Sequence, residues 1–158
     1  MTHPPARVIR GLRLARRVEM IFLMAQTIKD AKGEIVCDEP APGLFTTRVK
    51  GYLSVEMGRL IAKELARVIA AQGSVKIAHD WAEMTNYDGT CRSELTDFNL
   101  KHRKAITETL ILLKSAMVNM GVNTAGIALR AAGASLSSTM DRAAFERRVA
   151  AFAPRKAA

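Results

Sequence analysis

Cysteine, aromatic residues and long apolar runs are all scarce in this sequence. Its 158 residues hold two cysteines, Cys37 and Cys91. Two thiols cannot build a disulfide framework, so reduced thiols in a cytoplasmic protein are expected. Aromatic content is 5%, with one Trp, which leaves core filling to Leu, Ile, Val, Met and Ala. No stretch reaches the ~20 apolar residues of a membrane-spanning helix. The histidines, cysteines and acids show no metal-ligand spacing, so neither a metal nor a cofactor is expected. No Gly-x-Ser-x-Gly elbow occurs. Gly121 to Gly126 lacks the Lys-Ser/Thr of a phosphate-binding loop and lies inside a helical pattern. A chain this long buries roughly 68–70% of its unfolded surface and can stand as one domain without staples.

What the chain has in excess is positive charge, a formal +9. The excess is uneven. Residues 1–17 carry five Arg and no acid, and residues 147–158 carry Arg147, Arg148, Arg155 and Lys156, again without acid. The remaining 15 basic residues balance all 15 acidic ones. A neutral centre with basic ends fits solvated tails at least as well as a nucleic-acid face. There is no recognition-helix pattern and no aromatic-basic interleaving, so no specific nucleic acid is expected as partner.

Basic residues 7–17 precede the apolar run Val18 to Ala25, an order shared with secretion signals. Glu19 interrupts that run and no small-x-small cleavage site follows. A helical or frayed extension over 1–32 is expected instead, with helical spacing over 7–31. Met20 or Met24 is an alternative start.

Beyond Lys32-Gly33, short strands are expected at Glu34–Cys37 and Leu44–Gly51, joined by the Pro40-Ala41-Pro42-Gly43 turn. In the second, Phe45, Thr47 and Val49 alternate with Thr46, Arg48 and Lys50. Ser54 is placed to cap a helix, with Met57, Leu60, Ile61, Leu65, Val68 and Ile69 at helical steps as far as Gln72-Gly73. Val75–Ala78 reads as the next strand. Since a helix joins the two strands, they should pair in parallel. A loop is expected from His79 to Asp88. Thr90 or Ser93 then caps a helix to about Ala105, whose inner face includes Leu95, Phe98 and His102. Thr109–Leu113 reads as a strand buried on both faces. A helix rich in small residues follows from Ala116. Leu136–Thr139 is a short last strand, and Thr139 or Asp141 caps a final helix. The expected fold class is α/β, with a central mixed sheet of about five strands and about four helices. The expected boundaries are an extension over 1–32, a domain over 33–153 and a tail over 154–158.

The chemistry-bearing residues gather around the loop placed after Ala78. His79 beside Asp80 offers a base next to a carboxylate. Neighbours on a strand point to opposite faces, however, and do not orient each other. Cys91 lies near a helix start, which lowers thiol pKa, but no local base accompanies it. No catalytic residue is therefore assigned, and the chain is not expected to be an enzyme. Docking of a protein partner through His79, Asp80, Trp81, Tyr87, Asp88 and Arg92 is the preferred reading.

The order of strands and helices resembles the STAS domain of bacterial anti-sigma-factor antagonists, the SpoIIAA-like fold. That family carries an aspartate at the end of a strand, then Asp-Ser-Ser-Gly at the next helix start. Asp80 and Asp88-Gly89-Thr90 fill those places here. Gly89 replaces a serine, Cys91 replaces the glycine, and Trp81 and Tyr87 are additions. The chain is also similar to a bacterial group of SpoIIAA-like proteins through His79-Asp80-Trp81, through Tyr87, Asp88 and Arg92, and through Asp141 to Glu146. The resemblance implies a non-catalytic regulatory module acting by protein contact, with Thr90 as a phosphorylation site. Homodimer formation stays open. The alternatives are a carrier of a small apolar ligand or nucleotide, and an enzyme using His79 and Asp80. An apolar pocket behind Trp81 and Met117–Met120 would favour the carrier; a flat charged surface would favour docking.

Overall fold

The computed structural model describes residues 25–153. The segment 1–24 and the tail 154–158, where most of the expected extension and the tail fall, lie outside these residues. Strand β1 (Gln26–Lys29) pairs antiparallel with β2 (Gly33–Ala41). The turn between them is built by Asp30, whose carboxylate accepts the N–H of Lys32 at 2.7 Å and of Gly33 at 2.9 Å. This corrects the helix expected over 7–31 at its carboxyl end. There β-branched Thr27 and Ile28 pair with Val36 and Ile35, and the aspartate turn favours a hairpin over another helical turn.

β2 continues as an antiparallel hairpin into β3 (Leu44–Leu53), with Gly43 at φ 75° in the connection. Helix α1 (Val55–Gln72) follows. As expected, Ser54 caps it, its Oγ accepting the Met57 N–H at 3.2 Å, and Gly73 closes it in the left-handed conformation. The crossover over α1 sets β3 parallel to the strand that follows.

β4 spans Val75–Tyr87, 13 residues, where the sequence pattern gave four. The cause is a pair of bulges against β3. Arg48 and Lys50 face Asp80 and Glu83, and Gly51 and Tyr52 face Met84 and Asn86. Each bulge places one extra residue on β4 and reverses which side chains point inward. The inward set therefore runs Val75, Ile77, His79, Trp81, Met84 and Tyr87. Simple alternation ends at Trp81, which is why the second half reads as a loop in sequence.

Helix α2 (Gly89–Lys101), strand β5 (Ile106–Leu113), helix α3 (Ala116–Ala131), strand β6 (Leu136–Thr139) and helix α4 (Arg142–Phe152) complete the order. The six strands lie in sequence order, antiparallel from β1 to β3 and parallel from β3 to β6. β1 accounts for the one strand more than expected. The larger core lies on the face shared by α1, α2 and α3, and a smaller one joins Ala78, Leu110 and Leu112 to Phe145 of α4. β5 is buried on both faces as its apolar run predicts, with Leu110 and Leu112 on the α4 side and Ile111 and Leu113 on the other. Arg148, counted among the basic ends, belongs to α4 and pairs with Glu108 of β5 at 2.7 Å.

Candidate functional site

Three side chains of the larger core face form a closed polar group. Thr47 of β3 and His79 of β4 are register partners, and Trp81 lies two residues further on the same face. The His79 and Trp81 rings stack, with centroids 4.5 Å apart. The Thr47 Oγ1 accepts the Trp81 indole N–H at 3.1 Å and lies 2.7 Å from His79 Nδ1. Either tautomer closes this contact: the hydroxyl donates to Nδ1 when the imidazole proton is on Nε2, and accepts when it is on Nδ1. Burial pushes the His79 pKa down to about 3, so the ring is neutral. The docking loop expected here is thus replaced by strand. His79 and Trp81 are buried, because two bulges carry β4 through the core face.

Asp80 points to the opposite face, as neighbouring strand residues do. There it accepts two hydrogen bonds from Arg142 of α4, at 3.0 and 3.2 Å, and lies 3.9 Å from Arg48. It ties α4 to the sheet. His79 and Asp80 are separated by the sheet itself and cannot act as one acid–base pair, which removes the enzyme reading built on them.

At the end of β4 the chain enters α2 through Asp88. The Asp88 Oδ1 accepts the amides of Thr90 at 2.7 Å and Cys91 at 3.3 Å. Asp88 is the N-cap; Thr90 and Ser93, expected in that role, lie within the helix. Aspartate wins because its Oδ1 alone reaches both free amides from an extended backbone. Thr90 and Arg92 are exposed. Cys91 is buried, and burial first, then Asp88 and Glu94, push its thiol up to about 12. That leaves it a protonated packing group. It sits against Gly58 of α1, where any side chain would overlap its sulfur.

Between α2, α3 and the sheet lies a cavity of about 80 Å³. Trp81, Met84 and Ile111 contribute from the strands, Leu95 from α2, and Val118 and Val122 from α3. Gly121 admits the Tyr87 hydroxyl, which a Cβ at that position would overlap. Arg92 stands among the lining residues and is exposed, so it marks the rim. Met117 and Met120, expected near such a pocket, are 54% and 67% exposed and turn away from it. The structure adds Thr47, Thr109 and Asn99 to the site. Only Thr47 left a signal, as the polar member of the inward Phe45-Thr47-Val49 set.

Among the described residues, no group of three or more His, Cys, Asp or Glu could hold a metal, and no helix is long and apolar enough to cross a membrane. No protein-family model and no curated protein matches the sequence. Among solved structures, it is similar to an uncharacterised protein of the DUF3478 family from Shewanella loihica, described as having a SpoIIAA-like fold. The TM-score is 0.58 at 12% identity, over 77% of this chain and 98% of that one. With a mixed sheet and four helices among the described residues, and with this likeness, the chain has a SpoIIAA-like fold.

Proposed function

We infer that this chain is a binding module for a small, largely apolar molecule. The observation that carries this reading is the cavity between α2, α3 and the sheet, lined by apolar side chains and by the chain's one tryptophan. Buried apolar space with a few polar atoms around it is the form a small-ligand site takes. The groups that line it favour binding over chemistry, since burial makes His79 a weak base and keeps Cys91 a protonated thiol. Trp81 makes the test direct. Butanol titrated into the protein should change Trp81 emission saturably and raise the melting midpoint, because a ligand of the native state alone stabilises it. Val122→Phe, which fills the space, should remove the emission change. No response of the wild-type protein would overturn the reading.

A second reading keeps the end of β4 as a protein-docking surface switched at Thr90. Its support is the exposure of Asn86, Thr90 and Arg92. It ranks second because Asp88 already takes the amides of Thr90 and Cys91, the donors that would otherwise hold a phosphate. Loss of partner binding in Thr90→Asp, with binding kept in Thr90→Ala, would favour it.

A further inference from the structure

The residues that line the cavity carry charge of one sign only. Its lining residues include Arg92 and neither Asp nor Glu. Arg92 is the fourth residue of α2, exposed at the rim, and its guanidinium has no partner among the described residues. The nearby acids are engaged elsewhere. Glu94 accepts two hydrogen bonds from Arg59, at 2.9 and 3.1 Å, and Asp88 caps the helix. On the floor, His79 and Thr109 are 5% and 4% exposed. Both line the cavity, and the His79 Nε2 and the Thr109 hydroxyl have no protein partner among the described residues, yet neither is sealed from the space. The floor thus offers neutral hydrogen-bonding groups and the rim offers a cation.

Resting on the ligand-binding reading, we propose that the cavity takes a short-chain carboxylate. Its carboxylate pairs with Arg92 at the rim, and its carbon chain enters between Leu95, Val118 and Val122. The reverse orientation would bury the charge beside a neutral imidazole, which does not offset the lost hydration. At the rim the charge keeps water, and the planar guanidinium fork matches a carboxylate with two parallel hydrogen bonds. Size limits the chain. The cavity of about 80 Å³ is roughly half the ~150 Å³ that admits benzene, so the tail has only a few carbons. An amine of equal length would meet the charge of Arg92 with its own.

The test is a set of Trp81 emission titrations with butanoate, butanol and butylamine at fixed ionic strength. The proteins are the wild type, Arg92→Gln and Arg92→Lys. Butanoate should bind the wild type on the order of tenfold more tightly than butanol, the scale of one charge-assisted pair, with butylamine weakest. Arg92→Gln should erase the gap between butanoate and butanol while keeping a saturable Trp81 response to butanol, which also shows that the variant folds. Arg92→Lys should keep part of the gap. Equal binding of butanoate and butanol to the wild type, or a gap that survives in Arg92→Gln, overturns the carboxylate assignment and leaves the ligand-binding reading standing. No response to any of the three removes both.

Discussion

The Thr47 hydroxyl lies 2.7 Å from Nδ1 of His79 and accepts the Trp81 indole at 3.1 Å, so one β3 side chain orients both rings on β4. Thr47→Val keeps the shape and removes this partner. It leaves a buried indole N–H and a buried ring nitrogen unpaired, at a cost of about 1–3 kcal/mol for such a group. Urea denaturation should show that loss, and Trp81 emission should shift as the ring gains freedom. An unchanged midpoint would mean that the hydroxyl does not organise the rings.

The buried imidazole should make the fold acid-sensitive. Burial lowers the His79 pKa from 6.5 to about 3 in the native state. As pH falls below 6.5 the unfolded chain takes up a proton that the native chain refuses until about 3, so stability falls with pH across that window. Between pH 7 and pH 5 the loss is about 2 kcal/mol. His79→Asn should lose less by that amount in the same denaturation series. Equal losses would show that the ring takes its proton freely in the fold.

Leu112 is fully buried in β5, within the core that α4 covers. Leu112→Ala should cost about 2–5 kcal/mol, the transfer and cavity terms together. A loss below ~1 kcal/mol by chemical denaturation would contradict the two-faced burial of this strand.

Asp88 and Thr90 separate the cap from its neighbour. Asp88→Ala should cost about 0.5–2 kcal/mol by leaving the two amides of the first α2 turn unpaired. Thr90→Ala, at an exposed position, should stay within about 0.5 kcal/mol. Melting midpoints in the opposite order would return the capping role to Thr90.

Much of the fold could be read from local chemistry. Ser54 and Gly73 delimit α1, and the Thr109–Leu113 run reads as a strand buried on both faces because no polar residue interrupts its second half. β4 could not be read beyond Ala78, because two bulges against β3 break its period and only the pairing shows them. β1 was hidden because Gln26–Lys29 is short and its strand state depends on the hairpin turn at Asp30. At the site, the sequence marks Trp81, Tyr87 and Arg92 as docking residues. The structure gathers them around a cavity instead. Their α3 partners, small and apolar at helical spacing, carry no mark in sequence that tells a cavity wall from ordinary core.

The ligand-binding reading is tested most directly by mapping where a small apolar molecule binds. Backbone amide spectra of the isotope-labelled protein, recorded as butanol is added, report every residue at once. The cavity predicts saturable shifts at the Trp81 indole and along the facing residues of α2 and α3, Leu95, Asn99, Val118 and Val122, with the β1–β2 hairpin unmoved. Shifts that scatter over the surface without saturating, or that leave Trp81 and α3 untouched, would contradict it.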